Sequence, residues 1–156
     1  MIMITRHIDR VAVIGAGTMG RGIAAHLANA HIEVDLLDIV PSDLADSDDE
    51  AQRNQLARQA IESMTGRRPA LYEERLADLI TPGNVEEHMA RIGEANWVVE
   101  AVPEEMEIKR ETFDAIAEHA SDEAIISSNT SGLSIAGMLQ GRSDQFRRRF
   151  LVTHFF

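Results

Sequence analysis

A glycine-rich segment near the amino terminus is the first part of the sequence whose residue types and spacing could do chemistry. It runs Gly15-Ala16-Gly17-Thr18-Met19-Gly20, between an apolar run and a helical stripe. In such a G-x-G-x-x-G turn the first glycine permits a tight bend, the second lets backbone approach a diphosphate, and the third allows close helix–strand packing. Amide groups at the helix start then attract the diphosphate. The alternative is a glycine-rich turn without a ligand, but strand, spacing and helix together favour a dinucleotide-binding turn.

Asp38 is the candidate acidic partner of this turn. It ends the next predicted strand, eighteen residues after Gly20, close to the spacing of about 20 expected of a ribose-binding acid. Its carboxylate would accept hydrogen bonds from ribose hydroxyls and repel a 2′-phosphate. The following Ile39-Val40-Pro41 offers no basic residue to such a phosphate, so NAD is favoured over NADP. The alternative is an aspartate that is merely solvated at a strand end.

Polar residues also follow the later predicted strands, where open α/β sheets bind their ligands. The three segments are residues 100–104, residues 127–131 and Thr153-His154. Lys109 lies on the apolar stripe of the next helix, where an unpaired charge should not be buried. It either extends toward a ribose or the carboxylate of Glu104, or snorkels to solvent. The pattern alone does not choose between these alternatives.

His154 is the histidine best placed for chemistry, because an imidazole can take a proton near neutral pH. It lies in an otherwise apolar run, residues 150–155. A lone histidine in a strand is more often structural, so this position needs support from its neighbours. We predict no metal site, because no pair of histidines has ligand spacing beside carboxylates. The other histidines attract less interest, because His26 and His119 lie off the apolar stripes of their helices and because the surroundings of His7 and His88 are polar.

Alternating strands and helices must position these residues. The predicted strands are residues 11–14, 33–38, 80–81, 97–102, 124–128 and 150–155. The predicted helices are residues 18–30, 45–64, 70–79, 85–92, 104–120 and 134–139, with turns at 67–69 and 82–84. Short apolar runs that alternate with helices indicate a parallel sheet covered on both faces. We therefore expect an α/β fold of the Rossmann type, a doubly wound, mostly parallel sheet of about six strands.

Composition excludes several classes of protein. The 156 residues carry a formal net charge of −11, which disfavours nucleic acid and anionic membrane surfaces as partners. The absence of cysteine excludes disulfides, thiolate metal sites and a cysteine nucleophile. No apolar run is long enough to span a membrane, and residues 1–10 lack the pattern of a secretory signal. We expect a cytoplasmic domain, and the apolar ending Phe155-Phe156 suggests that residues 1–156 are one domain of a longer protein.

Together these residues resemble the NAD-binding domain of the 3-hydroxyacyl-CoA dehydrogenases, in the version found in long bacterial fatty-acid oxidation proteins. The resemblance is carried by residues 11–38, 98–113, 127–133 and 151–156. The His-Phe-Phe ending beside Ser-Asn-Thr-Ser is much more specific than the glycine motif.

The resemblance implies a role for each candidate residue. Asp38 would bind the adenosine ribose, Ser131 would lie near the nicotinamide and the substrate's 3-oxygen, and His154 would be the catalytic base. In the implied step of fatty-acid β-oxidation, the 3-hydroxyl gives its proton to His154 while hydride passes from C3 to the coenzyme. The residues implied to hold the diphosphate are Gly15, Gly17, Thr18, Met19 and Gly20, and those implied to line the nicotinamide half are Ala101, Val102, Glu104 and Lys109.

Several family features lie outside the sequence or differ in it. The Asn-Pro after His-Phe-Phe, a downstream glutamate and the helical second domain would follow Phe156. That domain completes the acyl-CoA cleft and usually the dimer interface, so we expect an acyl-CoA substrate and a homo-oligomer for the full-length protein only. His31 replaces an expected glycine, and CoA contacts within residues 42–64 stay unassigned.

Two other functions remain open at this stage. One is a non-catalytic nucleotide-binding or structural member of the same family, similar to its crystallin-like proteins. The other is a related NAD-dependent dehydrogenase that acts on a different hydroxy acid, although the His-Phe-Phe ending argues against it.

Overall fold

The computed structural model describes residues 7–66 and 69–155 and contains one six-stranded sheet. Its strands are β1 (Arg10–Ile14), β2 (Glu33–Asp38), β3 (Ile80–Asn84), β4 (Trp97–Glu100), β5 (Ile125–Ser128) and β6 (Phe150–Val152). The helices are α1 (Thr18–Asn29), α2 (Glu50–Arg53), α3 (Gln55–Met64), α4 (Met106–His119), α5 (Ile135–Met138) and α6 (Asp144–Arg148). Three 3-10 segments cover Ser42–Leu44, Glu74–Leu79 and Met89–Glu94.

All neighbouring strands of the sheet pair in parallel, in the order β3-β2-β1-β4-β5-β6. The chain leaves β1 toward one edge, then returns to the centre and continues toward the other edge. The strand order therefore reverses between β1 and β4, which is where open α/β sheets bind ligands. The predicted doubly wound sheet of about six strands is confirmed.

The core is divided between the two faces of the sheet. Val11 and Val13 of β1 point to one face, where they pack with residues of α1 and α3. Ala12 and Ile14 point to the other face, where Phe113 and Ile116 of α4 cover them. Because both faces are covered, the central strands are continuous apolar runs, and this explains why they were recognisable in the sequence.

Two predicted helices before β3 are wrong in part. The single helix over residues 45–64 is divided at Asn54, whose buried side chain accepts a hydrogen bond from Asn84 Nδ2 at 2.7 Å. The helix over residues 70–79 is only the 3-10 segment Glu74–Leu79. There the side chain of Asn29 donates to Ala70 O and accepts from Tyr72 N, at 2.9 Å each, and so occupies a carbonyl oxygen that a helix beginning at residue 70 would use.

The predicted turn at residues 82–84 is also wrong, because these residues extend β3 along the sheet edge. Pro82 is tolerated there, since the outer side of an edge strand needs no N–H donor. The predicted helix over residues 85–92 is displaced to the 3-10 segment Met89–Glu94. Asn84 Oδ1 accepts from the amides of Glu86 and Glu87, as an N-cap residue does, and a single turn closed by His88 N and Asn84 O at 3.0 Å precedes that segment.

The later elements lie close to their predicted positions. β4 and β6 end two and three residues early, whereas the helix after β4 and the short helix α5 agree to within two residues. The sequence reading missed α6, whose cap Ser143 accepts from Phe146 N and whose Phe146 is buried. Residues 67 and 68 of the predicted turn at 67–69, and Phe156, lie outside the described residues. None of the helices within residues 7–66 and 69–155 could span a membrane.

Candidate functional site

The glycine turn joins β1 to α1 at the point where the strand order reverses. Gly15 has a φ of 105°, and a Cβ on it would lie 2.6 Å from the carbonyl oxygen of Ala101. A Cβ on Gly20 would lie 1.7 Å from Gly15 O, so the helix packs directly on the turn. Both glycines have the structural roles that the motif predicts.

The remaining residues of the turn face an open space. A Cβ on Gly17 would meet no atom within 4 Å, and Thr18 and Met19 are exposed beside it. The first turn of α1 contains no acidic residue, and its first amides have no acceptor within the helix. A diphosphate fits such a turn, because backbone N–H groups and the positive end of the helix dipole are both accessible.

Asp38 lies at the end of β2, beside the glycine turn. Its Oδ2 accepts a hydrogen bond from Ala16 N at 2.5 Å, and its Oδ1 accepts from Ile39 N at 2.7 Å. A carboxylate oxygen has more than one acceptor position, so Asp38 can still accept from ribose hydroxyls. The position supports the predicted ribose contact and also shows that the side chain orders the turn.

A cleft of about 660 Å³ opens above these residues. Of the predicted site residues, it is lined by Gly15, Gly17, Thr18, Met19, Asp38, Ala101 and Val102. The opposite wall includes apolar residues that the sequence analysis did not assign, namely Ile39, Val85, Met89, Ile108 and Ala115. One face of α4 contributes to the cleft and could have been recognised from its helical spacing; its residues are Ile108, Glu111, Thr112 and Ala115. No such signal marks Val85 and Met89, because their segment is irregular. The size and apolar lining fit an adenosine group.

Lys109 is buried at the end of this cleft, with a side chain only 1% exposed. Its Nζ lies 2.7 Å from Oε1 of the buried Glu100 and 3.2 Å from Oε2 of Glu104. It also donates to Val102 O at 3.5 Å. The snorkelling alternative is therefore wrong, and the expected approach to the carboxylate of Glu104 is confirmed. Glu100, which balances this buried ammonium, was not identified from the sequence.

Glu104 connects this ion pair to the loop after β5. Its Oε1 accepts hydrogen bonds from Thr130 Oγ1 at 2.5 Å, Ser131 N at 3.0 Å and Gly132 N at 3.1 Å. Burial opposes the ionised form, but these hydrogen bonds and the nearby ammonium outweigh it and lower the pKa of Glu104 to about 2. Glu104 is therefore ionised near neutral pH and fixes the loop that carries Ser131.

Ser131 and His154 meet at the same edge of the sheet. Ser131 Oγ lies 3.0 Å from His154 Nε2, and both residues are exposed. The segment around His154 is held on both sides, since Thr153 N donates to Ser128 O at 3.1 Å and Phe155 N donates to Asn129 Oδ1 at 2.9 Å. Ser131 is thus a polar neighbour of His154 that the apolar sequence around His154 does not provide.

The predicted site residues therefore form two adjoining groups. The glycine turn, Asp38, Ala101 and Val102 surround the cleft, while Glu104, Lys109, Ser131 and His154 lie on hydrogen-bonded elements beside it. Among residues 7–66 and 69–155 no three histidine or acidic side chains are grouped as metal ligands. The arrangement can hold an extended dinucleotide and present a hydroxyl and an imidazole at one end of it.

Comparison with known proteins agrees with this geometry. Residues 10–156 match the family model described as 3-hydroxyacyl-CoA dehydrogenase, NAD binding domain. The chain is 45% identical over 160 residues to a probable 3-hydroxyacyl-CoA dehydrogenase of Bacillus subtilis (strain 168), covering 97% of this chain and 20% of the relative. It is 42% identical over 150 residues to a protein of the same description from Deinococcus radiodurans, covering 96% of this chain and 42% of the relative.

A solved structure gives the same result. The crystal structure of 3-hydroxybutyryl-CoA dehydrogenase from Escherichia coli K12 superposes with a TM-score of 0.71 at 27% identity, covering 97% of this chain and 30% of that one. The chain thus spans between a fifth and two fifths of the two curated relatives. It belongs to the family of NAD-binding domains of the 3-hydroxyacyl-CoA dehydrogenases.

Proposed function

We propose that this chain is the coenzyme-binding part of an enzyme that oxidises (3S)-3-hydroxyacyl-CoA to 3-ketoacyl-CoA with NAD. The observation that carries the proposal is the Ser131–His154 pair, whose Oγ and Nε2 atoms lie 3.0 Å apart. A non-catalytic, crystallin-like member of the family would have no need of an exposed imidazole beside a hydroxyl at the end of the coenzyme cleft. The pair therefore favours catalysis.

The residues of this chain divide the work between binding and proton transfer. Gly15, Gly17, Thr18, Met19 and Gly20 form the turn for the diphosphate, and Asp38 lies where it can accept from the adenosine ribose. When bound, the coenzyme would supply the acceptor for the hydride that leaves C3 of the substrate. Ser131 would orient the 3-oxygen and His154 Nε2 would take the proton of the 3-hydroxyl. Holding these groups in one place supplies much of the rate.

Ala101 and Val102 would line the nicotinamide half of the site, since they lie between the glycine turn and Lys109, whose Nζ donates to Val102 O at 3.5 Å. Glu104 and Lys109 would line the same half as an ion pair, in which Lys109 Nζ lies 3.2 Å from Glu104 Oε2. An acyl-CoA substrate, a homo-oligomer and a cytoplasmic location of the complete protein are parts of the same proposal. Size-exclusion chromatography with light scattering and cell fractionation test the last two.

The substitution His154→Gln in the complete protein tests the proposal. Turnover of an acetoacetyl thioester with NADH should fall by about 10²–10⁴-fold, because in this reductive direction His154 would act as the general acid that protonates the 3-oxygen, and a general acid or base contributes this much. The dissociation constant for NADH, measured by fluorescence, should change by less than about threefold, because His154 lies outside the lining of the cleft.

The matched control is His7→Gln, since the side chain of His7 is 86% exposed and the residue precedes the amino-terminal end of β1, whereas the site lies at the carboxyl ends of the strands. It should leave turnover unchanged. An equal loss of NADH affinity and turnover in His154→Gln would reassign His154 to coenzyme binding, and undiminished turnover would refute its role as the base.

A further inference from the structure

We propose that Glu100 is a positioning residue of this site: its buried carboxylate orients Lys109 and Ser128, and through them it sets Ser131 and His154 against each other. The inference deepens the proposed function and rests on it. Glu100 is the last residue of β4, and its side chain is completely buried. An unpaired carboxylate in such a place would be strongly unfavourable, so its hydrogen bonds decide whether it is tolerated.

Both oxygens of Glu100 accept hydrogen bonds from other segments. Oε1 accepts from Lys109 Nζ at 2.7 Å and from Val102 N at 2.8 Å, and Oε2 accepts from Ser128 Oγ at 2.5 Å. One side chain therefore joins the end of β4, the turn after it, the first part of α4 and the end of β5.

The first connection reaches Ser131 by way of Lys109. With its ammonium held by Glu100, Lys109 also lies 3.2 Å from Oε2 of Glu104. Glu104 in turn accepts from Ser131 N and Gly132 N through its other oxygen. The position of Ser131 Oγ thus depends on a chain of charged hydrogen bonds that begins at Glu100.

The second connection reaches His154 by way of Ser128. The hydroxyl of Ser128 donates to Glu100, and its carbonyl oxygen accepts from Thr153 N at 3.1 Å. Thr153 immediately precedes His154. The two connections therefore end on the two members of the pair whose side-chain atoms lie 3.0 Å apart.

The residue types support this reading. Lys109 is the only lysine in the sequence, against fourteen arginines. A compact ammonium with three donors suits the convergent acceptors Glu100, Glu104 and Val102 O, whereas a planar guanidinium does not.

The test compares Glu100→Gln with Asp35→Asn in the complete protein. Asp35 is a matched control because it is also a buried strand carboxylate, 1% exposed, whose Oδ2 pairs with Arg10 Nε at 2.8 Å away from the site. Both variants should lower the unfolding temperature. Only Glu100→Gln should lower kcat for an acetoacetyl thioester, by tenfold or more, with the NADH dissociation constant within about threefold of wild type.

A second measurement follows the link to Lys109 without any turnover. Acylation of Lys109 by an amine-reactive ester, quantified by peptide mass spectrometry, should be at least tenfold faster in Glu100→Gln than in wild type or Asp35→Asn. If Glu100→Gln does not fold, Ser128→Ala replaces it, and kcat should fall by threefold or more at unchanged NADH affinity.

The possible results distinguish a failure of the proposed function from a failure of the inference about Glu100. Wild-type protein that binds no NADH and reduces no thioester refutes the proposed function, and the inference with it. An active wild type in which Glu100→Gln keeps the kcat of Asp35→Asn, or loses coenzyme affinity as much as kcat, overturns the inference alone. Protection of Lys109 that is unchanged by Glu100→Gln overturns it as well.

Discussion

At the scale of single residues, Asp38 has a structural task beside its proposed ligand contact. Each of its oxygens already accepts a backbone N–H, one from Ala16 within the glycine turn and one from Ile39. A substitution at this position would therefore disturb the turn as well as the ribose contact. The loss of affinity in such a variant could not be assigned to the ribose hydrogen bonds alone.

The glycines of the turn separate packing from binding more cleanly. Gly20→Ala should lower the free energy of unfolding by about 1–3 kcal/mol or more, because the added Cβ would overlap Gly15 O. Gly17→Ala should change it by less than about 0.5 kcal/mol, because no atom lies within 4 Å of its Cβ. Gly17→Ala should nevertheless weaken NADH binding at least tenfold, since the methyl group would block the diphosphate. Urea unfolding and calorimetry measure the two effects, and full NADH affinity in Gly17→Ala would contradict the assigned turn.

The low pKa of Glu104 predicts a pH dependence of stability. A carboxyl group whose pKa is about 2 in the folded protein and 4.5 when unperturbed stabilises the fold fully above pH 4.5. This contribution is lost as pH falls from about 4.5 to about 2. The difference in unfolding free energy between wild type and Glu104→Gln should therefore be constant at neutral pH and shrink in acid. Urea titrations between pH 3 and pH 7 measure it, and a difference that grows in acid would contradict the assigned hydrogen bonds.

At the scale of elements, the site depends on where the strands end. The paired residues Ile14, Leu37 and Glu100 bring the carboxyl ends of β1, β2 and β4 into line. β4 ends at Glu100, so Ala101 and Val102 lie in a turn that lines the cleft instead of continuing the strand. Because β4 ends early, Ala101 and Val102, which were predicted to be part of the strand, line the cleft instead.

The connection from α1 to β2 contains a strained residue. His31 has a φ of 61°, a left-handed conformation that is unfavourable for residues with a Cβ. His31→Gly should raise the free energy of unfolding by about 0.5–1 kcal/mol, because relief of strain exceeds the entropic cost of glycine. Ala30→Gly is the matched control, since Ala30 has a φ of −88° and should lose stability. Denaturant unfolding compares the two variants, and a destabilised His31→Gly would show that the imidazole itself contributes.

At the scale of the whole molecule, the sheet order places two functions side by side. The glycine turn and Asp38 belong to β1 and β2, whereas Ser131 and His154 follow β5 and β6. Glu100 of β4 and Lys109 of α4 lie between them. The groups proposed for coenzyme binding and those proposed for proton transfer therefore lie on opposite sides of β4 in one sheet.

The exposure of Ser131 and His154 leads to a prediction for residues 1–156 produced alone. Ser131 and His154 are both open to water, which weakens hydrogen bonds and proton transfer at an unprotected site. Residues 1–156 should bind NADH weakly and show little or no turnover of an acetoacetyl thioester. Calorimetry and a steady-state assay measure these quantities, and full activity of these residues alone would refute the expectation that further structure completes the site.

The sequence by itself determined the fold class, the central strands and the part of the cleft formed by the glycine turn and Asp38. Buried parallel strands are continuous apolar runs, and the glycine turn has a local spacing that is legible without tertiary structure. The separate roles of Ser131 and His154 could only be stated as expectations from resemblance, and the environment of Lys109 was an open alternative. The contact between Ser131 and His154 was not predicted.

Only the tertiary structure decided what depends on contacts between distant segments. Asn29 binds Ala70 O and Tyr72 N, which lie 41 and 43 residues away in sequence, and this long-range contact overrode the local helical pattern over residues 70–73. Glu100 ends an apolar strand and looked like a strand-end polar residue. Its importance arises from Lys109 and Ser128, which lie 9 and 28 residues away in sequence and reach its two oxygens only when α4 and β5 pack beside β4.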